Sequence, residues 1–275
     1  MRGLRTFGVA VGAFIVGVVL ICAILAPWIT PHDPFAQDLV KRLQPPVWME
    51  GGTTENLFGT DQLGRDYLSR LIYGARISML IGIATVIASG LIGTALGVAG
   101  GYFGGRVDAV VLFLITVRLA IPLILVALAV VSLVGSSLTI VVLTLGLLLW
   151  ERFAVVARTS TMQVRNLDYV TAATANGCST WRILWAHVLP NVLSPLAVVA
   201  TLEMALAILL EAALSFLGLG VPPPLPSWGL MIAEGKEYLF FSPWVIVIPG
   251  VALFVLVMGI NLLGDGLRDL LGTRR

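Results

Sequence analysis

The chain has 275 residues, 58% of them hydrophobic and 12% charged, with a mean hydropathy of +0.99. Soluble domains carry about 25% charged residues, so this composition excludes a water-soluble globule. A net charge of +2 is too small to mark a nucleic-acid binder, and two cysteines, Cys22 and Cys178, in separate parts of the chain exclude a disulfide framework or a thiol-held metal site.

A helix needs about 20 apolar residues to cross a bilayer. Phe7 to Ile29 is the first such run and carries no charge. Arg2 and Arg5 ahead of it resemble the start of a signal peptide, but the run is long and Pro27 follows Ala26 at the only small-residue cleavage point. It reads as an uncleaved anchor, residues 1–30. A hydrophilic segment, 31–76, follows. Pro31, Pro34, Pro45 and Pro46 keep its first half irregular. Its second half predicts a helix capped by Thr60 or Asp61, with Leu63, Tyr67, Leu71 and Ala75 on one face, lying at the membrane surface.

The second apolar run, Ile77 to Gly105, contains Gly93-x-x-x-Gly97 and Gly97-x-x-x-Gly101, spacings that let helices approach closely in lipid. The turn Gly100 to Asp108 is glycine-rich, yet the chain holds no G-x-x-x-x-G-K-[ST] phosphate loop. Asp108 to Leu133 is the third run. It holds Arg118 and Pro122, and an intramembrane arginine has to face the bundle interior, water or another subunit. Only Val134 to Ser137 separates it from the fourth, Leu138 to Trp150 and on to about Arg158, so these two predict a tight helical hairpin.

Asp168 to Asn191 is the longest polar stretch of the C-terminal half. Asn166 can cap a first short helix, with Asp168 in its first turn. Asn176-Gly177 supplies a stop, Ser179 can cap a second helix, and Pro190 limits that one. Tyr169, Ala172, Ala173 and Asn176 share one helical face, an aromatic knob beside small alanines. On physics alone this face is either a docking surface or part of a connector.

The fifth run, Val192 to Leu217, carries Glu203 and Glu211, about 80° apart around the helix. Each is a candidate for a translocation path, as is Arg118, or a structural carboxyl. Trp228, after a proline-rich segment, suits the membrane–water boundary. Leu239 to Gly264 is the sixth run. With the N-terminus inside, Arg2, Arg5, Arg106, Arg152, Arg158, Arg165, Arg182, Arg268, Arg274 and Arg275 lie inside, against Lys41, Arg42, Arg65, Arg70, Arg76 and Lys236 outside. That bias places both chain ends and the 168–191 loop in the cytoplasm. The predicted fold is all-α: a polytopic membrane protein of six transmembrane helices, with a cytoplasmic helix between spans four and five.

Ala172-Ala173, Gly177, Ile183-Leu184 and Leu189-Pro190-Asn191 together resemble the cytoplasmic coupling loop of ABC-importer permeases. Gly59 to Ser78, Gly100 to Asp108, Glu211 to Gly229 and Asn261 to Asp269 are similar to permeases of the dipeptide/oligopeptide/nickel type. Trp150 to Arg158 follows the family's order, with Val155 in place of a common arginine, and Thr171 stands where an acidic residue is usual. Phe113 and Thr116 stand where the family usually has an arginine and an aspartate, and Glu203 is outside the family pattern.

The resemblance implies an inner-membrane permease subunit of a bacterial importer, with residues 77–275 as the transport core and 165–191 as its coupling loop. It implies a homologous permease partner, two cytoplasmic ATPase domains and an external solute-binding protein. Asp168, Tyr169, Ala172, Ala173, Asn176, Gly177 and Arg182 would meet the ATPase. ATP and Mg²⁺ would be bound by those partners, with no metal or cofactor on this chain. Dipeptides or oligopeptides are the expected cargo, with nickel chelates, glutathione or sugars as alternatives. A secondary transporter, or an intramembrane enzyme built on Glu203 and Glu211, are the other classes.

Overall fold

The computed structural model describes residues 2–272, with side chains from 8 to 270. The side chains of Arg2, Arg5, Arg274 and Arg275, which support the orientation expected above, lie outside the described residues. The described chain is helical and contains no β-strand. Among the described residues five helices are long and apolar enough to cross a membrane, six when a bent pair is counted as one span.

The first span is α1, Arg2–Ile29. The second is α2, Tyr67–Phe103, which reaches an N-cap at Asp66, whose carboxylate accepts from the Ser69 N–H. Thr60 and Asp61 therefore cap nothing, and no separate surface helix precedes the span. Asp61 is drawn instead into a tight turn, accepting from the N–H groups of Leu63 (2.8 Å) and Arg65 (3.0 Å). Its carboxylate also binds Arg65 Nε (2.6 Å) and the Arg70 guanidinium. Glu234 meets the same two arginines at 3.4 and 2.9 Å.

The third span is α3, Gly105–Ala120, and α4, Leu123–Val134, bent by 84°. Ile121 is extended because a residue before proline avoids the helical region, and Pro122 starts the next helix. The fourth span is α5, Leu138–Leu148, and α6, Glu151–Arg165. The helix runs on to Arg165, past the expected end near Arg158, with the more polar α6 as its second half. Arg152, counted above among the inside residues, thus stands near the middle of this helix.

Beyond α6 come α7, Asp168–Ala175, and α8, Thr180–Ile183. A single π-turn, Leu184–Val188, links α8 to α9, Leu189–Phe216. Pro190 does not end the helix as expected. The π-turn closes with the Leu189 N–H on Leu184 O, one residue before Pro190, so the missing proline donor falls within the first turn of α9. At the other end Gly218, at φ +80°, terminates α9 ahead of the prolines. Then follow α10, Trp228–Gly235, which the hydropathy pattern does not reveal, and α11, Trp244–Gly272. Trp228 is no interfacial anchor: it is buried, donating from Nε1 to Leu71 O (2.9 Å) and packing on Gly74.

Helix α2 is the centre of the bundle. Its glycines let α6 lie against it backbone to backbone. A Cβ on Gly93, Gly97 or Gly101 would stand 2.2, 2.4 and 2.6 Å from the carbonyl oxygens of Trp150, Ala154 and Arg158. Both glycine spacings are used against carbonyls one helical turn apart. Gly97→Val is therefore expected to lower the melting temperature and detergent-extracted yield of the protein, since overpacking costs about 1–3 kcal/mol. An unchanged melting temperature would show that α6 can move aside.

Candidate coupling loop and intramembrane charges

Val170 is buried and seats α7 against a core formed with Val164, Ile183, Val188 and Val192. Asn166 does not cap α7; it ends α6, its N–H donating to Gln163 O, and Leu167 takes the cap position without a side-chain bond. The α7 C-terminus is a complete left-handed stop. Gly177 has φ +74°, its N–H donates to Thr174 O (3.0 Å), and the Cys178 N–H donates to Ala173 O (3.1 Å). Ser179 Oγ caps α8 by accepting from the Arg182 N–H.

Asp168, Tyr169, Ala172, Asn176 and Arg182 are exposed, while Ala173 is half-buried against the core beneath α7. Tyr169 is tied back: its hydroxyl accepts from Asn191 Nδ2 (3.2 Å) and its ring sits 5.9 Å from that of His187. The structure adds Trp181 and Trp185, an exposed edge-on pair 5.5 Å apart. Their i, i+4 spacing was the available signal. Together these residues form a ledge joined to spans four and five.

The intramembrane charges sort differently from any simple pairing of Arg118 with Glu203 or Glu211. Arg118 Nε donates to Leu148 O (2.8 Å), Nη2 joins it, and Nη1 reaches Ile121 O (3.4 Å). These bonds satisfy carbonyls freed by the breaks after α3 and α5. The nearest acid is Glu151, at 3.9 Å. Glu203 is fully buried and faces Arg152, with Nη1 at 3.2 Å from Oε1. Glu211 is buried and accepts from Ser215 Oγ (2.8 Å) and Ser227 Oγ (2.7 Å). A Cβ on Gly229 would come within 2.9 Å of its other oxygen. Glu203 and Glu211 therefore lie in separate environments. No group of three metal-ligating side chains exists among the described residues.

Residues 90–275 match the family described as binding-protein-dependent transport system inner membrane component, and residues 8–46 match the N-terminal TM domain of oligopeptide transport permease C. The chain belongs to this family of binding-protein-dependent permeases. The permease is 43% identical over 257 residues to the di/tripeptide transport system permease protein DppC of Pseudomonas aeruginosa, covering 94% of this chain and 85% of that one. It is 40% identical to the dipeptide transport system permease protein DppC of Haemophilus influenzae, over 97% of this chain and 90% of the other. The inward-facing MetNI methionine ABC transporter shares the fold, with a TM-score of 0.58 at 18% identity over 75% of this chain and 96% of that chain. The permease is a multi-pass inner-membrane transport subunit, not an enzyme. Membership sets aside the secondary-transporter and intramembrane-enzyme classes.

Proposed function

We propose that this permease forms half of the path of an ATP-driven importer for dipeptides and short oligopeptides. The observation that carries the cargo is near-full-length identity to permeases named for dipeptide and di/tripeptide transport. A homologous permease supplies the other half, a solute-binding protein delivers peptide outside, and two ATPase domains bind ATP and Mg²⁺ inside. Residues 1–30 anchor the chain, 31–76 form an outer loop, and 77–275 form the transport core.

Asp168, Tyr169, Ala172, Ala173, Asn176, Gly177 and Arg182 are proposed to belong to the ATPase contact, Ala173 from beneath. The exposed, core-seated α7–α8 ledge supports this reading, because it projects from the bundle yet is fixed to it by Val170. Both chain ends are proposed to be cytoplasmic. Arg118 and Glu211 would shape the path by holding its helices, and Glu203 by its ion pair.

The test is uptake by proteoliposomes holding both permeases and the ATPases, with the binding protein added. Labelled dipeptide is expected to accumulate only with ATP and binding protein, and the chain alone is expected to hydrolyse no ATP. Nucleotide-independent uptake, or hydrolysis by the isolated chain, would overturn the proposal.

A further inference from the structure

We propose that Arg152 is a carboxylate-binding residue on the wall of the translocation path, exchanging Glu203 for the C-terminal carboxylate of a peptide in transit. This rests on the peptide reading above. Arg152 lies about 14 residues, roughly 21 Å, along the helix from Leu138, where the apolar run begins, and so within the roughly 30 Å of a hydrocarbon core entered there. Its side chain is 58% exposed. On the same exposed side of α6 lie Val155, Thr159, Met162 and Gln163. A guanidinium at that depth, on a face with a hydroxyl and an amide, is costly against lipid and belongs against water or protein.

The surrounding charges leave Arg152 available. Arg118 is occupied by the Leu148 and Ile121 carbonyls, with Glu151 beside it. Arg152 has only Glu203, at 3.2 Å, and neither Glu203 oxygen is hydrogen-bonded. The contact is an ion pair, and the exposure of the side chain leaves part of the planar donor fork of Arg152 open. That fork matches a carboxylate with two parallel N–H···O bonds. Turning from Glu203 would strand a buried anion, which is strongly unfavourable. A peptide zwitterion brings its own remedy, because its ammonium can face Glu203 while its carboxylate takes Arg152. Charge then balances before and during passage.

The decisive variant is the double substitution Arg152→Gln/Glu203→Gln, which removes both charges and strands neither. It is expected to assemble with the sister permease and ATPases but to take up labelled dipeptide roughly tenfold more slowly, as loss of a charge-assisted bond predicts. Glu203→Gln alone is expected to keep more uptake than the double variant, and Arg152→Lys to restore part of it. Wild-type uptake by the double variant would show that Arg152 merely neutralises Glu203, and would overturn the inference. So would loss of the sister permease from the purified double variant, which would assign Arg152 to a subunit contact. A wild-type complex that carries no peptide but does carry another solute would overturn the peptide reading itself, and the inference with it.

Discussion

Gly177→Val is expected to abolish ATP-driven uptake while leaving the permease inserted and paired. Gly177 sits at φ +74°, where a β-branched residue costs about 1–2 kcal/mol. No atom lies within 4 Å of its missing Cβ, so crowding adds nothing and the whole effect acts through the backbone. The strain is relieved by opening the turn that donates to Thr174 O and Ala173 O, which re-aims α7 relative to α8. Ala172→Glu is the companion variant. Ala172 is exposed, so a longer side chain disturbs nothing within this chain, and any defect has to arise against a partner. Ala173→Glu is less informative, because Ala173 packs on the Val170 core and its loss would disturb the ledge directly. ATPase co-purification and uptake in proteoliposomes are the measurements. Full uptake with undiminished ATPase retention in Gly177→Val and Ala172→Glu would reduce the ledge to a connector.

The largest stability effect is expected from Asp61→Asn. Asp61 is fully buried between Arg65 and Arg70, themselves buried, with Glu234 as the second acid. Four charges cancel. Removing one leaves two buried guanidiniums to a single carboxylate, and breaking such a set from one side costs about 3–5 kcal/mol. Asparagine keeps an oxygen for the turn, so the change isolates charge from loop geometry. The melting temperature and the yield of monodisperse detergent-extracted protein are both expected to fall sharply. Glu234→Gln is expected to cost less, because its side chain is 15% exposed and water can compensate in part. Equal melting temperatures for Asp61→Asn and wild type would mean the cluster does not hold the loop before α2 to the bundle.

The spans, the glycine contacts and the left-handed stop at Gly177 were legible in the sequence because each depends on a local run or spacing. Apolar length marks a helix wherever it packs, and glycines four apart admit a neighbour whichever neighbour arrives. Asp61 was misread because two arginines from the following turns draw it away from capping, and a cap signal does not reveal that competition. Trp228 failed in the same way: a tryptophan after prolines suits an interface, but Gly74 on a distant helix opens a slot for it. Among the candidate residues, the polar ledge stood out by composition. Partners within the membrane did not. Arg152 was counted with the inside residues, and nothing local in the sequence pairs it with Glu203 on the next span.

Helix α8, the π-turn and α9 form one continuous unit of 37 residues, Thr180–Phe216, about 55 Å long. It packs on α2 where Gly82 admits Met204 and Ile208. That crossing divides it unequally, with about 39 Å on the ledge side and about 15 Å beyond. Tilting about it makes a lever with the fulcrum near its Phe216 end. The two tips travel in opposite directions, and the Phe216 end covers less than half the distance of the ledge end. A broad swing at the ledge becomes a short, reversed stroke beside Glu211.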